Sequence, residues 1–202
     1  MRSTVIPVVK ALLPRRVYLW AKDVRNARQV RRNPARKVLV NQILPAYASL
    51  GGRVLWVGCR RYTRDYGRLF GRSRAEYWTT DIEESHARWG EKDRYLTADL
   101  IQIDQVIAAG SFDCVLCNGV FGFGINDRDS QWQAMQAMAR ILKPGGRLLL
   151  GWNTNLVDDP LTMELALLGF EPDNVSGPGP CGLGPRILVP EAGYIYDLMR
   201  KR

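Results

Sequence analysis

Val54-Leu-Trp-Val-Gly-Cys-Arg60 is an apolar run that ends in a glycine turn. Two later runs have the same form, Tyr77-Trp-Thr-Thr-Asp81 and Phe112-Asp-Cys-Val-Leu-Cys-Asn118. Each is short, rich in residues that suit a pleated surface and closed by a small or polar residue. They follow one another at intervals of about 20 to 35 residues, the repeat expected of a strand and its crossover. This spacing predicts βαβ units in one parallel sheet. In open α/β sheets ligands sit beyond the carboxyl ends of the strands, so a nucleotide-like cofactor is expected there.

The rest of the chain supports a single domain behind a basic arm. With 202 residues, 46% of them hydrophobic and 9% aromatic, it can bury a core without disulfides or metals. The formal charge is +9, yet residues 1 to 40 hold eleven Arg or Lys against Asp23 alone, and the remainder is close to neutral. The expected division is therefore an arm, 1–32, followed by a domain, 33–202. Val17, Trp20, Val24 and Ala27 recur at helical spacing among arginines, which predicts a basic amphipathic helix. Residues 15–37 could then meet an anionic surface or nucleic acid, or simply be solvated. The N-terminal run Val5 to Leu13 is broken by Pro7 and Lys10 and followed by Arg15-Arg16, and it does not read as a targeting sequence. No run approaches the length of a membrane span. A cytoplasmic protein is expected, with the arm able to hold it peripherally at a membrane surface.

Of the four cysteines, Cys114 and Cys117 form a C-x-x-C pattern inside one predicted strand. An odd separation in a strand directs side chains to opposite faces, so the pair is not expected to share a metal. Cys59 and Cys181 lie in turns, and free thiols are expected throughout.

Asn33-Pro34 supplies a cap and a first-turn proline and opens a helix through about Ser49, closed by Gly51-Gly52. From Arg53 the pattern predicts strands near 53–57, 76–80, 94–97, 112–117 and 147–152, with helices near 64–70, 83–89, 102–109 and 130–142. The last helix carries the stripe Trp132, Met135, Met138, Ala139 and Leu142 and stops at Lys143-Pro-Gly-Gly146. A short helix after Pro160 precedes a terminal hairpin: Phe170 to Val175, a Gly/Pro loop at 176–185, and a last strand around Tyr194 to Met199.

Five strands with helical crossovers and a terminal antiparallel pair resemble the class I S-adenosylmethionine-dependent methyltransferases. The most diagnostic stretch is Leu142-Lys-Pro-Gly-Gly-Arg-Leu-Leu-Leu150, which is similar to that family's helix, turn and fifth strand, with Phe112 to Cys117 about 30 residues before it. The resemblance covers about Asn33 to Lys201. It implies a doubly wound seven-stranded sheet of order 3-2-1-4-5-7-6 with the seventh strand antiparallel. It also implies S-adenosylmethionine as cofactor and a small-molecule acceptor methylated on oxygen or nitrogen.

The residues carry that expectation unevenly. The family's turn after the first strand is usually Gly-x-Gly-x-Gly, whereas this chain has Gly58-Cys59-Arg60-Arg61-Tyr62, with two of the three glycines absent. Such a turn still lets backbone approach a ligand, and Arg60 or Arg61 could bond the cofactor carboxylate. Asp81, with Ile82 beside it, is expected on the ribose hydroxyls, although Asp81-Ile-Glu-Glu84 also has the form of a capping box. Asp99, followed by Leu100, falls where the family reads the adenine amino group, or caps a turn. Asn118 and Phe121, in Asn118-Gly-Val-Phe-Gly-Phe123, are expected near the donor methyl group. The only histidine, His86, reads as a surface residue. Asp127 and Asp129 are the expected catalytic bases.

Two other readings compete. An RNA methyltransferase would use the basic arm, but Asn118-Gly-Val-Phe121 lacks the Asn-Pro-Pro-Tyr pattern of base-amino methyltransferases. A methyltransferase-like binding protein without catalysis would follow from the altered glycine turn. A dehydrogenase is disfavoured, since Gly-x-Gly-x-x-Gly is absent after the first strand.

Overall fold

The structure, a computed structural model, describes residues 24–25, 28–175 and 183–202. Trp20, Cys181 and the arm up to residue 23 lie outside the described residues. Residues 28–32 are helical and lead into α1 (Pro34–Val38), which Asn33 caps by accepting from the Ala35 N–H at 2.8 Å. The helix passes through a π turn, Leu39–Ile43, into α2 (Leu44–Leu50). Pro45 has no N–H to donate, and a widened turn is one way a helix absorbs that loss.

The sheet is built from β1 (Gly52–Val57), β2 (Ala75–Asp81), β3 (Tyr95–Thr97), β4 (Phe112–Asn118), β5 (Leu142–Asn153), β6 (Phe170–Pro172), β7 (Arg186–Val189) and β8 (Tyr194–Lys201). Its order is β3-β2-β1-β4-β5-β8-β6, with β7 also paired to β8. The first five strands are parallel, β1 is central, and β8 runs antiparallel to β5. This is the expected doubly wound sheet, with β8 in the seventh place. The expected sixth strand is divided in two: β6 pairs with the end of β8 (Phe170↔Lys201) and β7 with its start (Val189↔Tyr194).

Burial alternates along the strands and makes three layers. Leu55, Val57, Val115, Cys117, Leu148 and Leu150 face one core, against α4 (Arg128–Ile141). Val54, Trp56, Cys114, Leu116 and Leu149 face the other, against α1, α2 and α3 (Gly67–Phe70). Cys114 and Cys117 therefore lie on opposite faces, as period-2 geometry requires. Among the described residues no cluster of His, Cys, Asp or Glu could hold a metal.

The crossovers are more economical than expected. The segments read as helices near 83–89 and 102–109 are 3₁₀ turns, Glu84–Trp89 and Leu100–Gln105, and the helix near 64–70 is a single turn. Among the described residues only α4 is long, and it begins before Ser130, with Asp127 as its cap.

Candidate functional site

The carboxyl ends of β1, β2, β3 and β4 open into one cavity of about 540 Å³. Gly58, Arg60, Asp81, Ile82, Asp99, Leu100 and Asn118 all line it, so seven of the expected contacts converge. Gly58 adopts φ +88°, a left-handed conformation that favours glycine, and hydrogen-bonds from its N–H to the Thr80 carbonyl at 2.8 Å.

Asp81 is nearly fully buried at the end of β2 and accepts from every side. The Cys59 N–H and Arg60 Nη1 donate to Oδ2 at 2.7 and 2.6 Å. The Glu83 N–H donates to Oδ1 at 3.0 Å, and His86 Nδ1 lies 3.0 Å from the same atom. Burial alone would raise the Asp81 pKa, but the donors from Glu83, His86 and Cys59, with the Arg60 charge, outweigh it and hold the carboxyl below its ordinary value. Four donors use all four lone-pair positions of a carboxylate. His86 Nδ1 is also 2.8 Å from Arg60 Nη1. Both hydrogens of that Arg60 nitrogen are directed elsewhere, to Asp81 at 2.6 Å and to the Cys59 carbonyl at 2.8 Å, so His86 takes the tautomer that donates to Asp81.

Asp99 caps the turn that follows β3, its Oδ1 accepting from the Ile101 N–H at 3.1 Å, and it faces the cavity as well. Ile82 and Phe123 are apolar cavity residues left 62% and 66% exposed, a pair of surfaces that a flat ligand would cover. The cavity wall also includes Tyr62, Asn153, Tyr194 and Tyr196, with Arg36 from α1. The Tyr194 hydroxyl donates to Asn118 Oδ1 at 3.1 Å.

Four expected residues are placed differently. Phe121 is fully buried among core residues and lines no part of the cavity; the exposed aromatic there is Phe123. The Cys59 thiol is buried, 3.8 Å from the Thr80 carbonyl, so its contribution is the backbone N–H to Asp81. Asp127 and Asp129 lie at the exposed start of α4, outside the cavity wall. Asp127 is occupied in accepting from the Ser130 N–H at 2.8 Å, which holds its pKa down. Neither is a base aimed at the cavity. Arg61 lies over the Trp89 ring at 5.5 Å.

Sequence reading missed Arg36, Asn153 and Tyr194. A signal existed for the first: Arg36, Val40, Ile43 and Tyr47 fall at helical spacing, so an arginine stands in line with an apolar stripe.

Residues 55–150 match a family model described as a methyltransferase domain. Among solved structures, a TehB-like SAM-dependent methyltransferase from Corynebacterium glutamicum is 21% identical, with 79% of this chain and 88% of that one covered and a TM-score of 0.57. The N-methyltransferase NodS from Bradyrhizobium japonicum, in complex with S-adenosylhomocysteine, is 14% identical over 86% and 90% of the two chains, at a TM-score of 0.55. The 1,6-didemethyltoxoflavin-N1-methyltransferase of Burkholderia thailandensis, with its namesake compound and S-adenosylhomocysteine bound, is 20% identical over 91% and 89%, at 0.50. A search of curated protein sequences finds no significant match. At these identities the structural likeness establishes the fold.

Proposed function

We propose that the chain is a class I S-adenosylmethionine-dependent methyltransferase that methylates a nitrogen of a small-molecule acceptor, a reading supported by the methyltransferase-domain match over residues 55–150. The observation that carries this reading is the convergence of Gly58, Asp81, Ile82, Asp99 and Asn118 on one cavity at the carboxyl edge of the sheet. The residues suit the cofactor. Asp81 would accept the ribose hydroxyls, Ile82 and Leu100 would pack on the adenine, Asp99 would meet its amino group, and the Gly58 turn and Asn118 would flank the methionyl part. When bound, S-adenosylmethionine supplies the sulfonium methyl group for transfer.

Occupation of the ribose position requires a rearrangement. Asp81 has no lone pair to spare while Arg60 and His86 hold it, so both side chains must withdraw; the backbone N–H groups of Cys59 and Glu83 can stay. The protein's part in the reaction is placement. Aligning donor and acceptor in a closed cavity can supply several kcal/mol of the barrier. Among the described residues the cavity carboxylates, Asp81 and Asp99, stand at the nucleoside end, and no carboxylate faces Asn118 and Tyr194. A nitrogen with a lone pair attacks without prior deprotonation, whereas a hydroxyl gains from a base. This favours nitrogen over oxygen.

Isothermal calorimetry with S-adenosylhomocysteine tests the site, and transfer of labelled methyl groups to amine and hydroxyl pools tests the atom. Binding followed by label on amines is expected. If the compound neither binds nor raises the melting temperature at millimolar concentration, Arg60 fills the ribose position permanently and the protein is a binding protein without this activity.

A further inference from the structure

Two arginines line the cavity, and they differ in one respect. Arg60 is paired with Asp81 at 2.6 Å. Arg36 is half-buried in the cavity wall and has no carboxylate within ion-pair distance among the described residues. Other arginines removed from water are paired, Arg147 with Asp173 at 2.6 Å and Arg186 with Asp159 at 2.7 Å and Asp197 at 2.6 Å. A cation withdrawn from water without a counterion is costly, and a ligand can supply what the fold does not.

The surroundings hold the Arg36 guanidinium in place without neutralising it. Its Nη1 donates to the Tyr66 hydroxyl at 3.1 Å, and its Cζ lies over the Tyr62 ring, 4.9 Å from the ring centre. Tyr196, beneath it, spends its hydroxyl on the Ala35 carbonyl at 2.8 Å. Among the described residues one donor of five is used, and the others remain for a ligand. A planar fork fixed against aromatic rings matches a carboxylate, which it can grip through two parallel bonds.

Accepting that the cofactor lies between Gly58, Asp81, Asp99 and Asn118, the space walled by Arg36, Tyr62, Asn153, Tyr194 and Tyr196 is left for the acceptor. We propose that Arg36 binds a carboxylate of the acceptor, so that the substrate is a flat, negatively charged small molecule laid against the tyrosines. Arg36 acts as a specificity-determining residue and takes no part in bond making. The acceptor's charge fixes its orientation, with the reacting nitrogen directed toward Asn118.

The probe pair is benzoate and its neutral counterpart benzamide, titrated by ligand-detected NMR into protein loaded with S-adenosylhomocysteine. Benzoate is expected to bind about tenfold more tightly than benzamide, a difference of about 1.4 kcal/mol. Arg36→Gln should abolish that preference and leave the S-adenosylhomocysteine affinity within about twofold, while Arg36→Lys should keep part of the preference. Equal binding of benzoate and benzamide to the wild-type protein overturns the assignment, whatever the variants do. So does a loss of about tenfold in S-adenosylhomocysteine affinity in Arg36→Gln with benzoate binding kept, which would give Arg36 to the cofactor's own carboxylate. If S-adenosylhomocysteine fails to bind the wild type, the cofactor reading fails by itself, and benzoate against benzamide on the free protein still decides the role of Arg36.

Discussion

Asp81 joins two turns of the fold through the same carboxylate that we propose for the ribose. It takes two backbone N–H groups from the turns it joins, and it also holds Arg60 and His86. Asp81→Ala should weaken S-adenosylhomocysteine binding by about tenfold or more, because a lost charge-assisted partner costs on the order of 2 kcal/mol. Calorimetry reads this directly, and unchanged affinity would remove Asp81 from the site. The companion substitutions are expected to act in the opposite direction. Arg60→Ala and His86→Ala each delete a group that competes with the ribose for a carboxylate oxygen, so each should tighten binding by a few-fold. Weaker binding in Arg60→Ala would mean that Arg60 contacts the cofactor itself, as the sequence alone suggests. The aspartate was legible from its distance beyond Gly58. Its saturation was not, since donors from positions 59, 60, 83 and 86 meet only when β1 and β2 lie side by side.

At the scale of elements, the parallel strands were legible because each is a continuous apolar run bounded by polar or glycine residues. The crossovers were not, because a 3₁₀ turn and a short α-helix share the same few apolar positions. The division of the sixth strand was also hidden. β6 begins just after Gly169, which turns the chain at φ +81°, but nothing in the pattern marks the return of the chain at Arg186. There the reason is electrostatic: Arg186 bonds Asp197 of β8 and Asp159 of the preceding loop, and Trp152 Nε1 adds a 2.8 Å bond to the buried Asp197. Gly122 is an element-level constraint of another kind. It sits at φ +85°, where an added Cβ would stand 2.8 Å from Leu156 Cβ. Gly122→Ala should destabilise by roughly 2–4 kcal/mol from backbone strain and overpacking together. A thermal melt should show a drop of about 4–16 °C for a chain of this size. An unchanged melting temperature would show that the 119–125 turn is free to relax.

Over the whole molecule, ionisable groups are distributed so that stability should be confined to a middle range of pH. On the acid side four carboxyls are held below their ordinary values, the exposed Asp127 among them through its bond from Ser130. Burial opposes this at Asp81 and Asp113, but the donors around Asp81 and the Lys143 ammonium beside Asp113 prevail, and Asp159 is held down first by its bonds to Arg186. A depressed folded pKa stabilises fully above the unfolded value, about 3.9 for Asp, and that stabilisation is lost as pH falls through the folded value. On the alkaline side the sign reverses. Burial pushes the thiols of Cys59, Cys114 and Cys117 up to about 12. Unfolded thiols ionise near 8.5, so these groups stabilise fully below about that pH and progressively less as it rises toward the folded value. The melting temperature should therefore be level between about pH 5 and pH 8 and fall on both sides. A thiol reagent at pH 8 gives an independent reading, because only the thiolate reacts. In peptide maps Cys59, Cys114 and Cys117 should remain unlabelled in the native protein and label quickly once it is unfolded in guanidinium. Labelling of all three at the same rate in both states would show that the two cores on either side of the sheet are open to solvent, contrary to the burial that defines the fold.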